Sequence, residues 1–285
     1  MPPMIPPKRL RLGDGRVIQL PAVMGILNVT PDSFSDGGQY LEPARALEHA
    51  LAMEAEGAAI IDVGGESSRP HGARAITAAE ELERVVPVLR LLGRHLRVPI
   101  SIDTRKASVA RQALDLGAAM VNDTSAMTAD PEMIATVAAA RCAVVLMHMR
   151  GGLEDHVKWA HYSDVVAEVR RYLQGRVAAA VAGGVAAKRI VLDPGIGFAK
   201  TARHNLALLH NLKRLVKLGF PLLVGASRKR FVRELAGSDP CMVEWGNAGV
   251  NAAAILSGAA IVRVHAVAPA VAVVKLAAAI RDNCI

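Results

Sequence analysis

The feature that most restricts the fold of this chain is an eightfold alternation of short apolar runs with segments of helical spacing. The runs occupy residues 23–28, 58–63, 98–102, 118–121, 143–147, 190–192, 221–225 and 259–262. Apolar and polar residues do not alternate at 190–192, which is typical of a strand covered on both faces of a parallel sheet. A β–α repeat of this count closes as a (β/α)8 barrel, an α/β fold, so we expect that architecture. An open, doubly wound sheet is the alternative, because periodicity does not prove closure.

Helix signals lie between the apolar runs. Helical spacing covers residues 41–56, 78–92, 106–116, 163–182 and 205–218, and further helices are expected from residue 130 and from about residue 269. Thr77 and Glu80 have the spacing of a capping box, which predicts a helix start at residue 78. Gly57 and Gly117 follow two of these segments, as is typical of glycines that end helices.

Length and composition fit one barrel domain. A (β/α)8 barrel typically needs about 250 residues. We therefore expect a single domain over residues 1–285, with 1–20 as a short extension. Hydrophobic residues make up 52% of the chain and aromatic residues only 3%, so the core must be built from Ala, Val, Leu and Ile.

Charge and cysteine content indicate which kinds of partner and which cellular compartment to expect. Lys and Arg number 34 against 26 Asp and Glu, a net charge of +8 that favours acidic ligands. The basic residues are scattered, however, so a nucleic-acid partner is not expected. The three cysteines lack metal-ligand spacing and are typical of free thiols in a reducing compartment. Since we find no signal peptide or membrane span, we expect a cytoplasmic protein.

Polar residues follow the apolar runs where the strands are expected to end. They are Asn28, residues 67–69, Asp103, Asn122, His148, Asp193, Lys229, Arg263 and His265. In a barrel, the carboxyl ends of all strands meet at one mouth, where ligands bind. One such residue alone is typical of a cap or a turn, but the whole set predicts a functional site.

The chemistry of these residues indicates a ligand with two different ends. Asp103, Asp193 and Asn122 suit a flat heterocycle rich in N–H donors, because buried polar edges must be matched by partners. A second group has the opposite sign and suits phosphate oxygens: Asn28, Arg69, Arg263 and His265. The helix expected after Ala266 would add N-terminal amides that favour an anion.

Several of these residues also have simpler interpretations. Asp193 fits a helix N-cap, Asp103 fits a local ion pair with Arg105, and Arg263 fits a strand position that faces solvent. His148 lies between two methionines, so we expect a packed, hydrogen-bonded histidine and not a metal ligand. No zinc-binding spacing and no Ser-His-Asp arrangement can be recognised in the sequence.

A series of motifs resembles one known family. Residues 24–38, Met-Gly-Ile-Leu-Asn-Val-Thr-Pro-Asp-Ser-Phe-Ser-Asp-Gly-Gly, are similar to the N-terminal signature of the dihydropteroate synthases. The resemblance continues in order through residues 62–70, 101–104, 121–123, 146–149, 192–198, 225–229 and 262–265. It extends over about residues 22–280, and so many ordered motifs make it specific.

The resemblance implies a transferase of folate synthesis. Such an enzyme joins 6-hydroxymethyl-7,8-dihydropterin diphosphate to para-aminobenzoate and releases diphosphate and 7,8-dihydropteroate. An aryl amine is a weak nucleophile, and the sequence offers no obvious strong base, so we expect catalysis to depend on diphosphate departure. Mg2+ and the cationic residues would absorb the charge of the leaving group, while Asp103 would help to stabilise a pterin-methyl cation before amine attack. Loops at 30–40 and 65–75 would order over the site.

The same resemblance implies roles for individual residues. The pterin would be seated by Asp103, Asn122, Asp193 and Lys229, with Met147 and Phe198 packed near its ring. The diphosphate would be held by Asn28, Arg69, Arg263 and His265, with Mg2+ bridging its oxygens to Asn28 and Asp36. The aminobenzoate site would be shaped by Phe34, Ser68, Pro70 and Ser227. The residues expected to act in catalysis are Asp103, Lys229, Arg263 and His265.

Three positions depart from the family pattern. His71 makes its loop one residue longer and predicts weaker sulfonamide binding, although a neutral length variant is an equal alternative. Ala266 stands where an aspartate would orient His265, and Asn247 stands in a stretch where Thr or Ser is common, at an expected helix start. Two other functions stay open: a methyltetrahydrofolate-type methyltransferase, and a degenerate paralogue that binds pterin or phosphate without turnover. The family also suggests a homodimer.

Overall fold

A small hairpin precedes the barrel in the computed structural model, which describes residues 8–30, 41–66, 75–152 and 156–284. Its strands β1 (Arg9–Arg11) and β2 (Val17–Gln19) pair in antiparallel register and alternate exposed and buried residues. The buried Leu10 and Ile18 pack with Met24 and Met120 from inside the barrel. The sequence predicted only an extension over residues 1–20. The extension instead contains a hairpin that covers the amino-terminal end of the barrel.

Eight parallel strands form the barrel. They are β3 (Ala22–Asn28), β4 (Ile60–Gly64), β5 (Ile100–Asp103), β6 (Met120–Asp123), β7 (Ala143–Met147), β8 (Ile190–Asp193), β9 (Leu223–Val224) and β10 (Ile261–Val264). Neighbouring strands are hydrogen-bonded in the order β8-β7-β6-β5-β4-β3-β10-β9. A parallel bridge between Leu192 and Leu222 joins the two ends of this order. The predicted (β/α)8 barrel is therefore confirmed, and the open sheet is excluded.

Helices surround the barrel. They are α1 (Leu41–Ala55), α2 (Ala78–His95), α3 (Ala107–Asp115), α4 (Met133–Ala140), α5 (Val165–Ala182), α6 (Ala202–His210), α7 (Leu212–Val216), α8 (Arg230–Ala236), α9 (Pro240–Leu256) and α10 (Val267–Asp282). The capping box before α2 is confirmed, since Thr77 N donates to Oε2 of Glu80 at 2.7 Å and Glu80 N donates to Oγ1 of Thr77 at 3.2 Å. Within the described residues, none of these helices is long and apolar enough to cross a membrane.

Two helix predictions were wrong. The helix expected over 205–218 is split into α6 and α7 at Asn211, whose Nδ2 donates to the carbonyl of Ala207 at 2.9 Å. Such side-chain bonds compete with the helical ladder. Asn247 does not start a helix but lies buried inside α9, where its Oδ1 accepts a hydrogen bond from Arg228 N at 3.2 Å.

Candidate active site

The side chain of Arg263, near the end of β10, lies between two carboxylates of other strands. Its Nε donates to Oδ2 of Asp62 on β4 at 2.6 Å, and its Nη2 donates to Oδ2 of Asp103 on β5 at 2.7 Å. All three side chains are at least four-fifths buried. Arg263 therefore does not face solvent. Asp103 does not pair with Arg105, which donates instead to Glu66 at 2.9 Å.

Asp62 is a site residue that was not predicted from the sequence. Nδ2 of Asn122 donates to the same Oδ2 of Asp62 at 2.9 Å, and the register sets Asp103 beside Asn122. The other oxygen, Oδ1, is buried and has no hydrogen-bond partner among the described residues. The available signal was its position, because Asp62 is the one polar residue in the apolar run 58–63.

The surroundings of Asp103 change its protonation. Burial raises the pKa of this carboxyl group to about 7, and the adjacent Arg263 opposes the rise while Asp62 and Glu81 add to it. Burial thus favours the neutral acid, whereas the guanidinium of Arg263 favours the carboxylate. Perturbed carboxyl groups of this kind are common at functional sites.

Asp193 ends β8 and turns the chain. Its Oδ1 accepts a hydrogen bond from Gly195 N at 2.7 Å, the pattern of an Asx turn. The next helix, α6, begins at Ala202 with Thr201 as its cap, so the helix-cap interpretation of Asp193 was wrong. Burial raises the pKa of Asp193, and Lys229 opposes the rise.

Lys229 reaches the same end of the site over the loop that follows β8. Its Nζ donates to the carbonyl of Ile196 and lies 4.1 Å from the centre of the Phe198 ring. Gly197 has a φ of +82°, and a Cβ at this position would lie 2.4 Å from Cδ of Lys229. The side chain of Lys229 therefore depends on a glycine beneath it. Burial lowers the pKa of Lys229 to about 7, and Asp193 opposes the shift.

His265 is oriented by a serine. Oγ of Ser227 lies 3.0 Å from Nδ1 of His265 and accepts a hydrogen bond from His265 N at 3.2 Å. Ala266 is the N-cap residue of α10 and makes no side-chain cap bond. Ser227 thus supplies the polar contact that an aspartate at position 266 was expected to supply. The role of Ser227 at the aminobenzoate site, which the resemblance implies, stays a prediction.

His148 is a packed core histidine, as predicted. It is 2% exposed, and its ring packs edge-on against Tyr172 with the centroids 4.9 Å apart. Burial lowers the pKa of His148 to about 2, so the ring is neutral at any ordinary pH. Its neighbour Met147 forms a small apolar cluster with Met149 and Phe198. This cluster gives the polar mouth one apolar wall.

Asn28 faces the same mouth from the end of β3. A methyl group placed on Gly64 would lie 3.8 Å from Oδ1 of Asn28 and 3.8 Å from Oδ2 of Asp103. An amide oxygen and a carboxylate oxygen therefore both lie beside Gly64. Oxygen donors of these two kinds are the protein ligands that Mg2+ prefers.

The two groups of opposite sign expected from the sequence are not separate. Arg263, assigned to the cationic group, shares hydrogen bonds with Asp103, which was assigned to the heterocycle end. The two ends of the site thus meet at this ion pair. Seven other positions lie outside the described residues, and their placement stays a prediction: Phe34, Asp36, Ser67, Ser68, Arg69, Pro70 and His71.

Comparison with known proteins decides the family. The family model described as "Pterin binding enzyme" matches residues 24–265. The dihydropteroate synthase of Mycobacterium leprae is 52% identical over 264 residues, which cover 90% of this chain and 92% of that protein. The chain therefore belongs to the dihydropteroate synthases of the pterin-binding family. The family resemblance of the motifs is confirmed, and with it the assignment as a transferase.

Solved structures of this family share the same barrel. The dihydropteroate synthase of Xanthomonas albilineans with 4-aminobenzoic acid superposes with a TM-score of 0.89 at 44% identity, covering 96% of this chain and 98% of that one. The same enzyme in complex with 7,8-dihydropteroate gives a TM-score of 0.86 at 41% identity, with 96% and 98% covered. The similarity thus extends over the whole barrel and includes the strands that carry the site.

Proposed function

We propose that this chain makes 7,8-dihydropteroate at the mouth of its barrel, from 6-hydroxymethyl-7,8-dihydropterin diphosphate and para-aminobenzoate. The observation that carries the proposal is the joined network of Asp62, Asp103, Asn122 and Arg263, which offers oxygens and a guanidinium within one pocket. The ligands named for the Xanthomonas albilineans structures support the choice of substrates.

The pterin is proposed to lie against the deeper carboxylates. Asn122 donates through Nδ2 to Asp62. Oδ1 of Asn122 can therefore accept a hydrogen bond from a ring N–H of the pterin. Asp103 and Asp193 add further acceptors, and Lys229 adds a donor at the same end. The apolar wall of Met147, Met149 and Phe198 suits a planar ring, so the pocket matches both the edge and the face of a pterin.

The diphosphate is proposed to lie toward His265 and Asn28. A guanidinium has five N–H donors, and Arg263 uses Nε and Nη2 for its two carboxylates. The remaining N–H groups of Arg263 can donate to phosphate oxygens without breaking either pair. Arg69, outside the described residues, is assigned here by resemblance only.

The residues point to a reaction driven by the leaving group. The bond between the pterin methylene carbon and the diphosphate oxygen breaks, and its electron pair leaves with the diphosphate. Arg263 stabilises the departing charge, and Asp103, fixed against Arg263, stabilises the positive carbon that remains. The nitrogen lone pair of the aryl amine then forms the carbon–nitrogen bond, and the resulting ammonium releases a proton to solvent. Alignment of the two substrates supplies the rest of the acceleration.

The donor atoms fit a magnesium ion held largely by the substrate. Among the described residues, no group of three or more His, Cys, Asp or Glu is arranged to hold a metal. Mg2+ commonly takes one or two protein oxygens and completes its shell with phosphate oxygens and water. We assign Asn28 to it, and Asp36, which lies outside the described residues, by resemblance only. When bound, it would neutralise charge on the diphosphate.

An apolar patch on the outer helices favours a homodimer. Met242, Trp245 and Leu256 lie exposed along one face of α9, and Leu276 and Ile280 lie exposed one turn apart on α10, which packs against α9. A second copy of this chain would cover such a patch.

We also propose a single-domain protein of the cytoplasm, because its three cysteines are free thiols and two of them are exposed.

Diphosphate release tests the function. Purified protein is given dihydropterin diphosphate, para-aminobenzoate and Mg2+, with each omitted in turn. Release that requires all three supports the proposal. Binding of the pterin without release would favour the degenerate paralogue instead.

A further inference from the structure

Lys200 joins the ends of β7 and β8 beside the proposed pterin pocket. Its Nζ lies 3.0 Å from Nδ1 of His148, 3.4 Å from the carbonyl oxygen of His148 and 2.9 Å from the carbonyl oxygen of Phe198. Neither the sequence motifs nor the chemistry of the proposed mechanism assigns this lysine a role.

The three contacts match the donors of an ammonium group. Lys–NH3+ has three N–H donors and no acceptor, and both carbonyl oxygens can only accept. An ammonium group at Lys200 therefore requires Nδ1 of His148 to accept as well, which would place the ring proton on Nε2. The neutral ring of His148 is consistent with this, because burial lowers the pKa of the imidazole to about 2. Burial also lowers the pKa of Lys200 well below its ordinary value, and the carboxylate of Asp193 opposes that shift.

The segments that Lys200 joins are in close contact. His148 N donates to the carbonyl of Asp193 at 2.9 Å. A Cβ on Gly195 would lie 1.9 Å from the carbonyl oxygen of His148, so the two chain segments already touch. Met147 precedes His148 in this contact, and the carbonyl oxygen of Phe198 accepts a hydrogen bond from Nζ of Lys200. The apolar wall of the pocket is therefore fixed by the same bonds.

We propose that Lys200, as an ammonium ion on the unprotonated Nδ1 of His148, is a positioning residue that holds Met147, Phe198 and Asp193 in place for the pterin. This inference rests on the proposed function for the identity of the ligand. The aminobenzoate is not proposed to contact Met147, Phe198 or Asp193. Lys200 therefore affects binding of the pterin substrate and not binding of the arylamine.

Steady-state kinetics of Lys200→Met test the selectivity of the effect. Loss of the charged hydrogen bonds should raise the KM for dihydropterin diphosphate about tenfold, with less than about twofold change in the KM for para-aminobenzoate. Lys213→Met is the matched control, because Lys213 is exposed on α7, and it should change neither value. An equal rise in both KM values, or none, overturns the proposal.

A second pair of variants guards against misfolding of Lys200→Met. His148→Asn keeps an acceptor near the position of Nδ1, whereas His148→Leu removes it. The proposal requires near-normal pterin KM in the first variant and a raised KM in the second, with both melting cooperatively. Equal KM values in these two folded variants would contradict it.

Nitrogen-15 NMR of histidine-labelled protein reads the tautomer directly. We expect His148 to show an unprotonated Nδ1 and a protonated Nε2, and Lys200→Met to shift the Nδ1 signal by removing its donor. A proton on Nδ1 in the unaltered protein would mean a neutral Lys200 and would overturn the proposal. This measurement needs no substrate, so it stays decisive even if the diphosphate-release assay fails.

Discussion

Arg263 donates its Nε–H to Oδ2 of Asp62 at 2.6 Å, and the two residues lie 201 positions apart in the chain. The same oxygen of Asp62 accepts Nδ2 of Asn122 at 2.9 Å. The buried carboxylate of Asp62 thus orients both Arg263, which is proposed to bind the diphosphate, and Asn122, which is proposed to bind the pterin. Charge-assisted bonds of this geometry are strong and directional, so Asp62 sets how the two ends of the site face each other.

Asp62→Asn should impair turnover more than substrate binding. The amide keeps the shape of the side chain but removes the charge that holds Arg263. A displaced guanidinium should lower kcat about 10²-fold, since misplacement of about 1 Å has that cost, and stability should fall by about 2 kcal/mol. Steady-state kinetics and urea unfolding measure the two effects.

The control for this variant is Asp14→Asn. Asp14 pairs with Arg16 at 2.6 Å at an exposed position in the hairpin. Because exposed pairs contribute about 1 kcal/mol or less, this change should leave kcat unaltered. An equal loss of kcat in both variants would refute the assigned role of Asp62.

Asp103 should make stability depend on pH. Its folded pKa of about 7 lies above the ordinary value near 3.8, so the folded protein retains a proton that the unfolded chain releases between these values. The stabilisation is complete below about pH 4 and is lost as the pH rises toward 7. Relative to Asp103→Asn, the unfolding free energy should fall by at most about 1.4 kcal/mol per pH unit in this window and then level off. A pH-independent difference in urea unfolding would contradict the shift.

Gly197→Ala should disturb Lys229. The added Cβ would lie 2.4 Å from Cδ of Lys229, and φ is +82°. Gly15→Ala is the matched control, because its φ is +88° with no atom within 4 Å of the new Cβ. In both variants, the left-handed conformation of the new alanine should lower the free energy of unfolding by about 1–2 kcal/mol. Only Gly197→Ala should add about 1–3 kcal/mol from overpacking and lower kcat/KM. Equal unfolding energies and equal kcat/KM values would show that Lys229 moves freely.

The barrel was predictable because its signals are local. Apolar runs, a capping box and polar strand ends are each visible within a few residues, and handedness rules then close the sheet. The same logic located Asp103, Asn122, Asp193 and Lys229 at one mouth.

Contacts between distant strands were not predictable in this way. The bonds of Asp62 to Arg263 and of Ser227 to His265 depend on side-chain directions that emerge only when the barrel has closed. The turn at Asp193 was ambiguous for a related reason, because Asp before Pro suits both an Asx turn and a helix cap. The amino-terminal hairpin was missed because its strands are only three residues long.

Leu276→Glu should separate the proposed dimer. Leu276 is 65% exposed on α10, within the patch that α9 and α10 share, so a buried carboxylate at this position would oppose association. Leu51→Glu makes the same change at an exposed position of α1, outside the patch, and should leave the assembly intact. Sedimentation velocity over a range of concentrations measures the monomer–dimer equilibrium of the unaltered chain and of both variants. If the unaltered chain dimerises and Leu276→Glu dimerises equally well, the contact surface lies elsewhere; if the unaltered chain stays monomeric, the patch requires another partner.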